Sequence, residues 1–169
     1  MPNIPNSFSA ENDPAQILNW RRWNGKLTTS GQPTEDQLAA IREIGVTHVI
    51  NLGLHSHEKA IKDESATVSR LGMTYIHIPV EFTAPTDSDF HLFCKSMEEA
   101  EGARVHVHCI FNARVTAFLY RYQRDILKVE QERAAALMET VWRPGGVWAT
   151  FLGHDAAVKL PDRYAGRDY

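Results

Sequence analysis

Three short apolar runs, "THVINLG" at 47–53, "MTYIHIPV" at 73–80 and "RVHVHC" at 104–109, are separated by longer stretches with helical spacing of their apolar residues. Runs this short and apolar suit strands buried on both faces, and the stretches between them can hold the crossover helices that parallel strands require. The alternation predicts a three-layer α/β fold, with a mainly parallel central sheet of four or five strands flanked by helices. In such sheets ligands meet the chain at the carboxyl ends of the strands. That rule selects the segments after Leu52, Val80 and His108.

The intervening segments complete the pattern. "WRRWNGKLTTSGQPT" at 20–34 reads as a short strand or hairpin stopped at Gly31-Gln32-Pro33, and Thr34 can cap a helix with Leu38, Ile41 and Ile44 along one face. Helices are also predicted over 57–72, 87–102 and 131–142, and after Cys109 with Val115, Phe118, Leu119, Tyr122 and Ile126 on one face. The tail after Pro144-Gly145-Gly146 reads as irregular or short-helical. Residues 1–15, with their Pro, Asn and Ser, suggest a flexible N-terminal arm; 16–169 are expected to form one domain.

A net charge of −3 and a pI near 6.2 give no general attraction to nucleic acid or to an anionic membrane, so neither is an expected partner. No run approaches the roughly 20 apolar residues of a membrane span, and "MPNIPNSFSAENDP" lacks the plan of a signal peptide. Two cysteines, Cys94 and Cys109, suit a reducing cytoplasm, the expected location. Cys94 reads as core. His55, His57, His106 and His108 do not follow zinc-site spacing, so no metal is expected. Trp20 and Trp23 read as packing residues, and Arg21-Arg22 as a solvated pair.

Chemistry concentrates at "RVHVHCIFNARVTAF", residues 104–118. Cys109 falls where a buried strand gives way to a helix. The amides of Ile110, Phe111, Asn112, Ala113 and Arg114, with those of the first helical turn, would cradle an anion. The same partial charge, with the Arg114 cation, would favour a thiolate. Asn112 tolerates the left-handed backbone that a tight loop needs.

His-Cys, a short loop, Arg and then a hydroxyl residue resembles the signature of the cysteine-dependent protein tyrosine phosphatases, and most closely the small bacterial dual-specificity-like group. "TSGQPTEDQL", "GVTHVINL", "LGMTYIHIPVEFTAPT" and "VWRPGGVW" occur in the order such proteins show. The resemblance implies a cofactor-free hydrolase that acts on a phosphorylated small molecule or phosphoprotein. It makes Cys109 the nucleophile, Arg114 the phosphate clamp and Thr116 the hydroxyl that aids thiolate departure. His108 would orient the cysteine, and Glu81, after Val80, would be the general acid, with Asp87 and Asp89 as rivals.

One departure stands out. Four residues separate Cys109 from Arg114, one fewer than that family carries, and Val115 occupies the arginine's usual place. One helical residue is about 100° of rotation, so the clamp is expected to point differently unless the loop is rebuilt. The shorter spacing also resembles the loop of rhodanese-like sulfurtransferases, and a non-hydrolysing phosphate- or phosphoprotein-binding module is a further alternative.

Overall fold

The computed structural model describes residues 10–165. A central sheet contains β1 (Arg21–Arg22), β2 (Leu27–Ser30), β3 (His48–Asn51), β4 (Thr74–His77) and β5 (Val105–His108). Its order is β1-β2-β5-β3-β4, with β1 antiparallel and the rest parallel, as the strand–helix alternation predicts. The helices are α1 (Glu35–Glu43), α2 (Glu64–Arg70), α3 (Asp87–Glu99), α4 (Ala113–Arg121), α5 (Gln131–Glu139) and α6 (Gly146–Leu152). A small antiparallel pair, β6 (Trp142–Arg143) and β7 (Arg163–Tyr164), closes the tail. Among the described residues no helix is long and apolar enough to cross a membrane.

Each face of the sheet carries its own apolar layer. On one face Val105 and Val107 of β5 join Phe93, Phe118, Met138 and Trp148 from α3, α4, α5 and α6. On the other, Trp20, Val49, Leu38, Ile41 and Val68 pack with α1 and α2. Strand alternation then turns His106 and His108 towards this second face, where the His106 ring stacks on Trp20 at 5.1 Å. Thr34 caps α1 with a reciprocal bond to Gln37, satisfying amide donors that the helix start would otherwise leave unpaired.

Several sequence expectations change. The helix expected over 57–72 begins only at Glu64, because the His57 ring accepts from the Lys59 amide and Asp63 adopts a left-handed cap (φ 52°). Local side-chain bonds of this kind compete with helix formation. The helix expected over 131–142 ends at Glu139, and Trp142 enters β6. Arg21 and Arg22 are half-buried and partnered, not a free pair: Arg21 donates to Thr140, and Arg22 pairs with Asp13. Asp13 also accepts from the Trp20 indole at 3.0 Å and Pro14 is buried, so residues 10–15 of the expected arm are fastened to the hairpin. Residues 1–9 of that arm lie outside the described residues.

His106 is fully buried between Thr28 and Ser30, each 2.8 Å from a ring nitrogen. The Ser30 hydroxyl donates to the Gly31 carbonyl, so it accepts from Nε2–H, which leaves Nδ1 to accept from Thr28. A neutral ring satisfies every partner. Burial, and then the neighbouring His108, push its pKa well below the usual histidine range. The unfolded chain therefore binds more protons below the ordinary value of 6.5, and stability present above it is lost as the pH falls. This one group contributes a slope of up to about 1.4 kcal/mol per pH unit, to which His77 and His154, also lowered by burial, add in the same sense. His106→Phe is expected to melt earlier than wild type at pH 8, but with a shallower decline between pH 7 and 5, measured by circular dichroism.

Candidate active site

β5 is hydrogen-bonded on both sides, to β2 and to β3, so its carboxyl end is held firmly where Cys109 begins the loop. Cys109 is 1% exposed. Beyond it, consecutive carbonyls are held outward: His108 Nδ1 donates to Cys109 O (3.0 Å), Gln32 N to Ile110 O (3.0 Å) and Asn19 Nδ2 to Phe111 O (2.8 Å). In a trans peptide the next residue's N–H points opposite the carbonyl. The amides of Ile110, Phe111 and Asn112 are therefore turned inward, and they find no protein acceptor among the described residues. Amides arranged in this way can cradle an anion.

Asn112 takes the left-handed conformation expected of it (φ 73°). Its side-chain amide donates to Asn19 O at 2.8 Å and to Thr29 Oγ1 at 3.0 Å, which pins the turn to the hairpin. α4 starts at the very next residue, Ala113, so Arg114 stands in its first turn and Val115 drops into the core. Arg114 lines a cavity of about 240 Å³ together with Cys109, Ile110, Ala113, Phe111, Phe82 and Tyr164. One Nη1 bond of 2.8 Å to Val80 O holds the guanidinium, whose carbon lies 6.0 Å from the Phe82 ring centroid. Its Nε and Nη2 meet no protein acceptor among the described residues, leaving that edge of the fork available to an oxyanion.

His108 joins the site from beneath. Its Nδ1 faces the Cys109 carbonyl and its Nε2 faces Glu64 Oε2 at 2.7 Å, with both side chains buried. Glu64 Oε1 accepts from Gln32 Nε2 at 2.7 Å, and the Tyr75 hydroxyl, bonded to Asn51 and His55, is a neighbour of the carboxylate. Burial pushes the Glu64 carboxyl up, but the His108 charge and its hydrogen bond, then those of Gln32 and Tyr75, outweigh burial and lower it. Burial raises the Tyr75 hydroxyl, and the Glu64 charge adds to the rise.

Other expected residues fall elsewhere. The Thr116 hydroxyl has one proton and donates it to Ala113 O at 3.0 Å, while accepting from the Trp142 indole at 3.1 Å. It is engaged inside α4 and not with the sulfur. Asp87 pairs with Arg121 at 2.8 Å and lines a separate cavity, and the cap of α3 is Thr86, which accepts from the Asp89 amide. Glu81 is exposed and sits between Val80, which binds Arg114, and Phe82, which walls the Cys109 cavity. His55 stacks face to face on His77 at 3.7 Å and bonds Tyr75; His57 closes its own loop. Cys94 is half-buried against the α3 layer, where burial raises its thiol.

Sequence reasoning missed Glu64, Gln32, Asn19, Phe82 and Tyr164. Glu64 left one trace: it shares a helical face with Thr67 and Val68, both buried. The others come to Cys109 from distant segments and left none.

The family described as DSP-PTPase phosphatase fused to NAD+ kinase has a model that matches residues 6–146. A DUF442 protein of Shewanella putrefaciens CN-32, described as a candidate phosphatase, superposes with TM-score 0.75 at 31% identity, covering 88% of this chain and 97% of that one. TpbA of P. aeruginosa, solved as a cysteine-to-serine variant in complex with phosphotyrosine, has a TM-score of 0.60 at 19% identity over 75% of this chain and 74% of that one, a likeness of fold. The beta-lactamase hydrolase-like protein of Xylella fastidiosa strain Temecula1 is 33% identical over 89 residues, which are 51% of this chain. That match spans 20% of the relative's own length.

The cradle has a built-in steric test. A Cβ on Gly31 would lie 2.5 Å from the Ile110 carbonyl oxygen and 3.0 Å from Leu18 Cδ2. Gly31→Ala must therefore push the loop backbone, at a cost of about 1–3 kcal/mol. The expected outcome is a folded but destabilised protein that binds orthovanadate at least about tenfold more weakly, a loss of about 1.4 kcal/mol, read by denaturant melts and calorimetric titration.

Proposed function

Because the chain belongs to the DSP-PTPase phosphatase family matched over residues 6–146, we propose that it hydrolyses a phosphate monoester through a phosphocysteine formed on Cys109. The observation that carries this reading is one cavity in which Cys109, inward-turned amides and the open edge of Arg114 meet.

In the first step the Cys109 thiolate attacks phosphorus. The S–P bond forms as the P–O bond to the leaving group breaks, and the leaving oxygen takes a proton from the Glu81 carboxyl. The three non-bridging oxygens lie against the loop amides and Arg114, which meet the charge of the transition state. In the second step water attacks phosphorus and yields its proton to the Glu81 carboxylate, and the S–P bond breaks with its electron pair returning to sulfur. Glu81 holds the acid role because it flanks the loop that grips Arg114, whereas Asp87 is drawn away to Arg121. The chemistry calls on no metal or cofactor.

The walls favour a substrate class. Phe82, Phe111 and Tyr164 line the cavity, and Arg114 is the one cationic side chain that does so among the described residues. A single phosphoryl group on an aromatic or apolar carrier fits such a site better than a polyphosphorylated one; the TpbA complex with phosphotyrosine is in line with this choice.

Aryl phosphate hydrolysis is the direct test. Cys109→Ser is expected to abolish turnover, and Arg114→Lys to lower kcat/KM by about 10²–10³-fold through loss of the oriented fork. Glu81→Gln should cost about 10²-fold or more with an alkyl leaving group, and much less with an aryl group that needs no protonation. Thiosulfate-to-cyanide sulfur transfer without phosphate release would establish the sulfurtransferase reading. Phosphate binding with neither activity would establish a binding module.

A further inference from the structure

Glu64 is 2% exposed, carries a carboxylate into the interior, and has no part in the chemistry proposed above. Each of its oxygens meets a donor: Oε2 faces His108 Nε2 at 2.7 Å and Oε1 accepts from Gln32 Nε2 at 2.7 Å. A carboxylate that receives a donor on each oxygen has no use for a proton of its own. His108 presents the mirror image. Nδ1 faces a carbonyl and Nε2 a carboxylate, and only an imidazolium gives a proton to both.

From these bonds we propose that Glu64 is a positioning residue that keeps His108 doubly protonated behind Cys109, and so sustains the thiolate and the inward-facing loop amides. The inference rests on the phosphocysteine reading of the site. Two connections pass through Glu64. Through His108 it governs the charge of the ring beside the cysteine and the orientation of the Cys109 carbonyl. Through the Gln32 side chain it steadies the residue whose amide holds the Ile110 carbonyl. Both carbonyls face away from the cavity, so both bonds turn a donor towards the bound anion.

The groups packed around the pair do not supply that charge by other means. His106, beside His108 on β5, is the neutral ring held by Thr28 and Ser30. Tyr75 and His77 on β4 are uncharged partners, burial lowering the His77 imidazole and raising the Tyr75 hydroxyl. His55, in the loop after β3, bonds Tyr75 and stacks on His77. Gln32 from the turn after β2 is neutral. Glu64 is thus the anion that balances a buried imidazolium, and its loss leaves that cation without compensation.

The test uses the nearly isosteric Glu64→Gln, with Glu64→Asp as a second variant that keeps the charge. In wild type the His108 ring nitrogens should both be protonated at pH 8, read by nitrogen NMR of the imidazole, and in Glu64→Gln one proton should be lost. Iodoacetamide alkylation of Cys109 at pH 6 should slow by about tenfold or more in Glu64→Gln, its pH profile moving up by about one unit, and recover at least partly in Glu64→Asp. Thermal melts and amide spectra establish that each variant is folded. A neutral His108 in folded wild type, or a Glu64→Gln profile that is unchanged or moves down, overturns the inference. Wild-type protein that shows no Cys109-dependent phosphate release overturns the phosphatase reading separately, because the NMR and alkylation results do not depend on turnover.

Discussion

The central place of β5 is the constraint on which the site depends. A strand hydrogen-bonded on both edges cannot slide or tilt without breaking two ladders, and β5, the middle strand of five, has its carboxyl end held in this way. The strand's alternation also sorts the side chains. Val105 and Val107 enter the thick helical layer, while His106 and His108 face the thinner one. A polar interior is obligatory on that side, since two imidazoles must find partners without water. Thr28, Ser30 and Glu64 supply them. Cys109 then leaves the sheet over a floor already fixed by those bonds.

The hairpin and the two loops beyond β2 and β4 complete the site from outside. Asn19 Nδ2 donates to Phe111 O while Asn19 O accepts from Asn112 Nδ2, and Gly31 brings the backbone close enough for Gln32 to reach Ile110. Val80 holds Arg114 from the other side, and the next carbonyl but one, that of Phe82, accepts from the Trp148 indole at 2.7 Å. Three segments far apart in sequence thus meet on one short loop. Each contributes a backbone contact, which depends on the course of the chain more than on the identity of a side chain.

The fold was readable because it is written in periodicities. The apolar runs, their spacing and the helical faces each carry their signal within about 10–15 residues, and local signals of this kind survive without knowledge of tertiary contacts. Asn112 was readable for the same reason, since a left-handed turn restricts residue type directly. The start of α2 was not, because the His55–His77 stack and the His57 bond divert residues that have adequate helical propensity. Thr116 misled through its spacing: it stands at the right distance from Cys109, but Trp142, 26 residues on, takes the hydroxyl. Glu64 was hidden because its significance lies in the packing of α2 against the end of β5, which no local pattern encodes.

The loop shortened by one residue is where these two levels join. Spacing alone turns Arg114 away from the usual direction by a third of a helical turn. α4 begins immediately after Asn112, a left-handed residue with no side-chain cap, and Arg114 stands in its first turn. What would be a strained start is held by Asn112's bonds to the hairpin and by the outward carbonyls before it. So tight a loop depends on the bonds that hold its carbonyls outward. That is why the supports beneath and beside the loop matter as much as the cysteine it carries.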